Sequence, residues 1–433
     1  MSATRPASFP RWLPLAVFAV ALAIYLANGR SIPSDDTVPA RLLPLSLLSE
    51  RDFDLDEFPF LYEDGRPYFL QNAHGRWVST YPVGAAIAAV PFFAPLVAAG
   101  VDPRSDVMVA AEKLSAATMV ALSAAVLLLA LRELVSLRVA LWLTAAYALG
   151  TSSFSQSSQA LWQHGPAQLA IATGLLGALH SRRDPRWLVA TGFALGFAVV
   201  CRPGDALIVA PIAVSVLVRD MRARAWLALL AAMALPLAFQ VAYNATYFGD
   251  AGRLQFSPFD SGGWSTPLAT GLGGILVSPS RGLLVYSPIF FLSVAGAVLA
   301  WLRPHDSLLR WLGLSVVAYL VLNARWIMWW GGTCYGPRLL ADLNPVLVLL
   351  MVPVAAVLER SRPGELAFAA LLAWSIGMHA IGAFCTDLGW NDRREVDRHP
   401  ERLWSWTDNQ PVECVQAAAA LVRGERAPRD SVR

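Results

Sequence analysis

The chain has 433 residues, of which 56% are hydrophobic and only 15% are charged, and its mean hydropathy is +0.49. A soluble protein is excluded, because its surface needs a larger share of polar groups than this composition supplies. The formal net charge of +3 is too small to indicate a nucleic-acid partner, so we expect an integral membrane protein.

The first apolar run, WLPLAVFAVALAIYLAN at residues 12–28, is long enough to cross a bilayer as a helix. Arg5 and Arg11 precede it, and because basic flanks stay on the cytoplasmic side we expect the N-terminus inside. A secretory signal peptide has a similar pattern, but no small-x-small cleavage site follows this run. The polar and acidic residues 29–80 then lie outside.

Residues 81–100 form a second apolar run, which Pro82, Pro91 and Pro95 interrupt. This pattern fits either a full span or a helix that lies on the outer surface of the membrane. We prefer the surface helix, because a full span would turn every later arginine cluster outward, against the positive-inside bias. Those clusters lie between apolar runs and are Arg182, Arg183 and Arg186; Arg219, Arg222 and Arg224; Arg303 and Arg310; and Arg360 and Arg362.

Counting apolar runs around these clusters predicts an all-α polytopic bundle of about eleven transmembrane helices. Residues 1–386 form the predicted membrane domain, which includes an outer loop at 29–106 with juxtamembrane helices. Residues 387–433 form a short extracytoplasmic tail. Nearly all unusual polar residues then map to the outer face.

The segment SIPSDDTVPARLLPLSLL places two adjacent carboxylates, Asp35 and Asp36, directly after the first span. Acids after a span are often only solvated loop residues. Here the prolines and leucines that follow return the chain to the membrane, so the pair lies in a short polar notch. Partial desolvation raises the basicity of a carboxylate, which can then accept a proton from an alcohol.

The segment WWGGTCYGPRLLADLNP places Arg338 at the outer mouth of a later span. An arginine at a helix end often only extends to the lipid headgroups. The glycines before it let the backbone pack closely, and its planar guanidinium suits bidentate binding of a phosphate. We also include Tyr335 from this segment and Tyr81 from the surface helix as candidates for substrate binding.

Two further outer residues are candidate donors to a phosphate or a sugar hydroxyl. His164 in LWQHGPAQL lies at the start of a span, where it can instead cap or pack. Arg202 in CRPGD can instead pair with Asp205, which is the simpler explanation. An outward-facing cavity with a base on one side and cations on the other would suit the transfer of a group from a lipid phosphate.

The sequence contains no nucleotide fingerprint or P-loop, and we expect no cofactor to be required. The acids of RDFDLDEF, residues 51–58, could bind a divalent cation, but regularly spaced loop acids are more often solvated, so we assign no metal site. Cys201, Cys334, Cys385 and Cys414 lack metal-site spacing. A disulfide between Cys385 and Cys414 that tethers the tail is one interpretation, and free thiols are the other.

Five segments, taken in their order, resemble blocks of the GT-C superfamily of integral membrane glycosyltransferases, which includes aminoarabinose transferases and protein O-mannosyltransferases. They are SDDTVPARLLPLSLL, STYPVGAAIAAVPFFAP, SSQALWQHGPAQL, SPSRGLLVYSPIF and WWGGTCYGPRLLADLNP. The resemblance implies a GT-C-like fold, a sugar donor on polyprenyl phosphate, an inverting transfer and a first-loop acid as catalytic base. Asp36 best matches that acid and Asp35 is its neighbour, so the choice between them stays open. Arg338 matches the phosphate-side arginine by position.

We therefore expect a glycosyltransferase of the bacterial plasma membrane, with its active site and C-terminus on the extracytoplasmic face. A lipid, a glycan or a protein could be the acceptor, and the sequence identifies neither acceptor nor sugar. The alternatives are a transporter or flippase of lipid-linked sugars and a non-catalytic scaffold of envelope assembly. Transporters usually carry charges near the bilayer midplane and show related halves, and the spans of this chain are poor in charge.

Overall fold

The computed structural model describes residues 10–423 except 64, 66, 221, 254–262, 303–306 and 386–388. Within this part of the chain the protein is almost entirely α-helical and has one two-stranded hairpin. The helices are α1 (Leu13–Leu26), α2 (Val38–Ser49), α3 (Gly84–Ala98), α4 (Asp106–Arg132), α5 (Leu137–Leu149), α6 (His164–His180), α7 (Trp187–Cys201), α8 (Ala206–Arg219), α9 (Ala223–Phe248), α10 (Leu268–Val277), α11 (Leu283–Tyr286), α12 (Phe291–Leu302), α13 (Ser307–Arg325), α14 (Asn344–Leu350), α15 (Val352–Leu358), α16 (Arg362–Phe384), α17 (Trp390–Arg393) and α18 (Gln410–Val422); the strands are β1 (Leu70–Ala73) and β2 (Arg76–Ser79).

Several of these helices are suited to a bilayer. Among the described residues α4, α9, α13 and α16 are each long and apolar enough to cross a membrane, and Arg338–Leu350 with α15 forms a further candidate span that is bent by 49°. Helices α1, α3, α5, α7 and α10 are apolar but shorter. The predicted all-α polytopic membrane fold is confirmed, whereas the count of about eleven spans remains a prediction.

Small residues allow the membrane helices to approach closely. α7 packs along α9, and α6 packs against both α4 and α7. A Cβ added to Gly192 of α7 would lie 2.2 Å from the carbonyl oxygen of Leu229 in α9, and one added to Gly196 would lie 2.5 Å from that of Met233. Because association of helices in lipid depends on packing, these glycines let the two backbones meet.

The loop between α1 and α4 folds into a layer of its own. Leu55, Val78 and Phe93 are buried in a hydrophobic cluster that α2, the hairpin and α3 share. The antiparallel hairpin pairs Leu70 with Ser79 at its open end. Helix α3 packs mainly on α2 and also contacts α4, α6 and α7, so its predicted placement on the membrane surface remains a prediction.

The last described residues fold back onto the membrane helices. Helix α18 contacts α16, and Ser278 Oγ donates a 2.5 Å hydrogen bond to the carbonyl oxygen of Leu403. The predicted boundary between residues 386 and 387 lies outside the described residues, as do Arg5 and Arg303. The division into two domains therefore remains a prediction.

All four cysteines are free thiols in this structure. The Cys414 thiol donates to the carbonyl oxygen of Cys385, so the tail and the end of α16 meet where the sequence suggested a tether. The structure therefore has free thiols at Cys385 and Cys414 instead of a disulfide.

Candidate active site

Asp36 lies where the chain turns from α1 into α2. It belongs to the short helical turn Asp35–Thr37, and its backbone N–H donates to Ser34 Oγ at 3.1 Å. Asp36 is partly buried, whereas Asp35 is exposed. Burial therefore favours Asp36 over its neighbour as the candidate base.

Three side chains bind the carboxylate of Asp36. Arg338 Nη1 lies 2.5 Å from Oδ2, and the hydroxyls of Tyr68 and Tyr81 donate to Oδ1 at 2.6 and 2.7 Å. Asp36 and Arg338 are 302 residues apart in the sequence. The predicted base, the predicted phosphate ligand and one predicted substrate-binding tyrosine thus meet only through the fold.

The electrostatics of this centre keep Asp36 ionised. Burial raises the pKa of Asp36, but the charge of Arg338 and the hydrogen bonds from Tyr68, Tyr81 and Arg338 outweigh it, so the pKa is below its ordinary value. Burial and then the charge of Asp36 raise the pKa of both tyrosines, which remain protonated donors. At neutral pH the centre is a carboxylate held by one cation and two neutral hydroxyls.

Arg338 has donor capacity that Asp36 does not use. Its guanidinium lies over the ring of Trp162, 4.6 Å from the centroid. Its Nε is buried and has no hydrogen-bond partner among the described residues. A buried donor without a hydrogen-bond partner costs free energy. The Nε belongs to an edge of the guanidinium that can bind a phosphate or a carboxylate with two parallel hydrogen bonds. The Nε of Arg338 is therefore a donor that an anionic ligand would satisfy.

A second ionic network lies on the same short helix, Arg338–Leu343, as Arg338. The side chain of Asp342 is fully buried and lies 2.6 Å from Arg202 Nη1 and 2.9 Å from His164 Nδ1. The Tyr319 hydroxyl donates to Asp342 at 3.0 Å. Because Asp342 is four residues after Arg338, this network fixes the segment that presents Arg338 to the site.

His164 and Arg202 are thus brought together with each other and not with Asp36. Arg202 pairs with Asp342 instead of with Asp205, whose Oδ1 lies 3.1 Å from the Tyr319 hydroxyl oxygen. His164 is only 5% exposed. The geometry suits a positioning role for both residues, and their direct contact with a phosphate remains a prediction.

Tyr335 lies away from the Asp36 carboxylate. Its hydroxyl donates to the carbonyl oxygen of Met378 at 2.7 Å, and its ring packs edge to face on Tyr286 with centroids 5.3 Å apart. These contacts anchor the segment before Arg338 to α16. A role for Tyr335 in binding substrate remains a prediction.

Two charged residues of α4 were not predicted from the sequence. Glu112 is fully buried, 3.3 Å from Arg41 Nη1, and its Oε1 accepts from the Leu161 N–H at 3.2 Å. Lys113, the one lysine of the chain, donates to Gln159 Oε1 at 2.5 Å. An ionisable residue inside an apolar helix is a functional candidate by default, so the adjacent charges were a signal that could have found them.

A cavity of about 350 Å³ lies beside the candidate centre. Trp162, which contacts Arg338, forms part of its wall. Residues 30–33, which precede the Asp36 turn, and Thr333 with Cys334, which precede Arg338, also line it. The cavity therefore borders both segments that carry the centre, and its volume is in the range of small-molecule sites.

The acidic segment at residues 51–58 is the place where the sequence allowed a divalent cation. Among the described residues, no three His, Cys, Asp or Glu side chains are grouped as a metal site would require. Asp54 lies 3.4 Å from Arg76 instead. Independence from metals remains a prediction.

Comparison with known proteins supports the fold. No family model matches the chain, and no curated protein does. Its fold is similar to that of ArnT from Cupriavidus metallidurans in the apo state, with a TM-score of 0.56 and 15% identity over 95% of this chain and 69% of that one. It is also similar to the Archaeoglobus fulgidus oligosaccharyltransferase, with TM-scores of 0.53 for the apo form and 0.52 for the form tethered to an acceptor peptide, at 14% and 13% identity.

The chain covers 60% of the length of the apo oligosaccharyltransferase, which in turn matches 92% of this chain. Both neighbours are members of the GT-C superfamily, so the GT-C fold that the sequence resemblance implied is confirmed. At identities of 13–15% the likeness shows the fold alone. Activity depends on the site and not on the fold.

Proposed function

We propose that this protein is a membrane glycosyltransferase that moves a sugar from a polyprenyl-phosphate donor to an acceptor hydroxyl, with inversion at the anomeric carbon. The observation that carries the proposal is the contact between Asp36 and Arg338. This contact places the candidate base, Asp36, beside an arginine whose Nε is buried and has no hydrogen-bond partner among the described residues. The fold shared with ArnT, an aminoarabinose transferase, and with an oligosaccharyltransferase supports the same reaction class.

Donor binding would change the state of Asp36. A lipid phosphate that reaches Arg338 competes with Asp36 for the guanidinium, whose fork suits phosphate. Because the charge of Arg338 lowers the pKa of Asp36, sharing that charge raises the pKa and strengthens the carboxylate as a base. Tyr68 and Tyr81 hold Oδ1, so Oδ2, which Arg338 binds before the donor arrives, is the oxygen that would become available to the acceptor.

The transfer step then follows from these positions. The acceptor oxygen attacks the anomeric carbon, the bond from that carbon to the phosphate oxygen breaks, and Asp36 Oδ2 takes the proton of the acceptor hydroxyl. The electron pair of the broken bond stays on the lipid phosphate, where Arg338 stabilises the developing charge. The Asp342 network keeps Arg338 in place during the step.

The proposal includes a location and partners. The site would face the extracytoplasmic side of the bacterial plasma membrane, together with the C-terminus, while the N-terminus is cytoplasmic. The acceptor is a lipid, a glycan or a protein that carries a free hydroxyl. The prenyl tail of the donor would stay in the bilayer, so the reaction needs no nucleotide site.

A transporter of lipid-linked sugars remains the alternative, and one observation bears on it. Glu112 and Lys113 place buried charge in α4, contrary to the expectation that the spans are poor in charge. Both nevertheless bind groups near the start of α2 and the loop before α6, through Arg41 and Gln159. Their partners therefore belong to the same polar region as Asp36.

Mass analysis of envelope lipids and glycans from a deletion strain tests the function. We expect one envelope component to lose the mass of a sugar residue, and the wild-type chain to restore it. The Asp36→Asn chain, expressed at the same level, should not restore it. An envelope that keeps its full set of sugars without the protein would contradict the proposal.

A further inference from the structure

Arg281, in the turn between α10 and α11, is a buried arginine whose hydrogen bonds are complete. It is only 2% exposed, and each of the five N–H groups of its guanidinium has an acceptor. The acceptors are the carbonyl oxygens of Trp330 (3.0 Å), Ser280 (2.9 Å) and Gly332 (3.4 Å) and the side-chain oxygens of Gln410 (2.9 Å) and Asn391 (3.0 Å). All five are uncharged oxygens, so these contacts fix the geometry around Arg281 without neutralising its charge.

The acceptors of Arg281 connect two distant parts of the chain. Trp330 and Gly332 belong to the sequence WGGTCYG, residues 330–336, the glycine segment that precedes Arg338. Asn391 and Gln410 lie beyond α16, in the C-terminal tail. Arg281 therefore bridges the tail and the glycine segment.

The backbone of the glycine segment makes a turn that Arg281 supports. Gly331 and Gly332 have φ angles of +78° and +69°, in the left-handed region that glycine adopts readily. The carbonyl oxygens of Trp330 and Gly332, on either side of Gly331, are the two that Arg281 binds in this segment. Because carbonyl groups shielded from water need hydrogen-bond partners, Arg281 stabilises the turn.

This turn packs directly against Arg338. A Cβ added to Gly331 would lie 3.5 Å from Arg338 Nε and 3.3 Å from Leu339 Cγ. Gly331 thus lies beside the same Nε that has no hydrogen-bond partner among the described residues. A displacement of residues 330–332 would therefore change the position that is available to the guanidinium of Arg338.

We propose that Arg281 is a positioning residue of the centre that Asp36 and Arg338 form, because it holds residues 330–332 against Arg338. The inference rests on the proposed function in one respect, that this centre carries out the transfer. It also gives the C-terminal tail an indirect part in the site, since Arg281 joins the tail to the glycine segment. Direct binding of a phosphate by Arg281 does not fit, because its five N–H groups are all used.

Arg402 offers a matched control. Arg281 and Arg402 both lie over the ring of Trp390, 5.5 and 4.2 Å from its centroid. The side chain of Arg402 is also buried, and it binds the carboxylate of Asp408 at 2.8 and 2.9 Å and the carbonyl oxygens of Trp390 and Arg394. All of these partners belong to the tail, and none belongs to the glycine segment.

The reactivity of Cys334 tests the inference without any substrate. Cys334 belongs to the glycine segment and is 6% exposed, so a maleimide reaches its thiol when the segment opens. The rate is measured on the full chain in lipid nanodiscs, with the labelled peptides identified by mass spectrometry. We expect Cys334 to react about tenfold faster in Arg281→Lys than in the wild type, because an ammonium has three N–H groups for five acceptors.

The control variant Arg402→Lys should leave the labelling rate of Cys334 at the wild-type value. Equal rates in the wild type and in Arg281→Lys would overturn the inference. Equal increases in Arg281→Lys and Arg402→Lys would also overturn it, because they would show a general loosening of the tail.

The pH dependence of transfer shows whether the centre itself is affected. Burial raises the pKa of Asp36, and the charge of Arg338 together with hydrogen bonds from Tyr68, Tyr81 and Arg338 lowers it. If Arg338 moves away from Asp36, this pKa rises. The acid limb of kcat/KM should then shift to higher pH in Arg281→Lys, by about half a pH unit. The control variant should keep the wild-type limb, and an unchanged limb in Arg281→Lys would contradict the positioning role.

A milder variant decides the question if Arg281→Lys does not fold. Asn391→Leu combined with Gln410→Met removes the two tail acceptors and leaves Arg281 its three carbonyl partners. Cys334 labelling and the acid limb should change in the same direction and by less, and unchanged values would overturn the inference. If the wild type transfers no sugar, the proposed function fails, and the labelling of Cys334 still decides whether Arg281 holds the glycine segment.

Discussion

The protein contains two carboxylate–arginine pairs that differ in what surrounds them. In the pair of Asp36 and Arg338 the side chains are 14% and 13% exposed, and Arg338 Nε has no partner among the described residues. In the pair of Asp342 and Arg202 the arginine is 12% exposed, whereas the carboxylate is fully buried and also binds His164 and Tyr319. The two arginines are about equally exposed, so the pairs differ at the carboxylate: the first pair is open there and the second is closed.

This difference suggests a catalytic role for the accessible pair and a structural role for the buried one. A buried ion pair whose hydrogen bonds are satisfied holds a structure in place, and its loss leaves an unpaired charge. An accessible pair beside a cavity can exchange one partner for a substrate group. Since Arg338 and Asp342 share one short helix, the closed pair fixes the position of the open one.

The largest expected effect is on catalysis at the open pair. We expect Asp36→Asn to lower the rate of transfer by about 10²–10⁴-fold, because the amide cannot take the acceptor proton. Asp35→Asn, one residue away and exposed, is the control and should transfer at nearly the wild-type rate. Initial rates of the two purified variants in nanodiscs measure the difference. Equal losses of rate for Asp36→Asn and Asp35→Asn would contradict the choice of Asp36 over Asp35 as the base.

The closed pair should respond in stability. We expect Asp342→Asn to lower the free energy of unfolding by about 3–5 kcal/mol, because Arg202 loses its buried counter-charge. Thermal denaturation in detergent measures this change, with Asp36→Asn as the comparison. An Asp342→Asn protein as stable as the wild type would contradict the supporting role of this pair.

Replacement of each arginine by lysine should have a different effect at the two positions. Arg338→Lys keeps the charge but loses the fork and Nε, so we expect the KM for donor to rise by about tenfold or more. Arg202→Lys should instead lower stability and change the KM for donor much less. Steady-state kinetics on both variants test this, and a larger rise of KM for Arg202→Lys would place the phosphate at the buried network.

The smallest expected effect is a shift of the pH dependence of kcat/KM in the Tyr81→Phe variant. The pKa of Asp36 is lowered in part by the hydrogen bond from Tyr81, and transfer needs the ionised carboxylate, so activity falls as the pH falls through this pKa. Tyr81→Phe removes that hydrogen bond, and the acid limb of kcat/KM should move to higher pH. Tyr335→Phe, whose hydroxyl binds the Met378 carbonyl oxygen, should leave the limb in place.

The sequence predicted the fold from the length and spacing of apolar runs, which depend only on local composition. The acidic pair of Asp35 and Asp36 and the cation Arg338 were recognisable as candidates from their immediate neighbours, whereas the preference for Asp36 came from the family resemblance. The contact between Asp36 and Arg338 was not recognisable, because it joins segments 302 residues apart. Such a contact is set by the packing of the whole bundle.

The residues that sequence reasoning misplaced belong to the closed pair. Arg202 and Asp205 are three residues apart, which suggested a local ion pair, yet Arg202 binds Asp342, 140 residues away. Asp342 itself was not recognised, since an acid near a helix start looks like a solvated end group. Tyr68, on the loop before the hairpin, carries no pattern that distinguishes it from any other loop tyrosine.

The most direct test is a structure of the full chain with polyprenyl monophosphate bound. We predict that the phosphate lies within hydrogen-bond distance of Arg338 Nε and that the Arg338 guanidinium is then shared between the phosphate and Asp36, while the contacts of Asp342 with Arg202 and His164 are unchanged. A phosphate bound elsewhere, with the pair of Asp36 and Arg338 intact, would contradict the assignment of this pair as the catalytic centre.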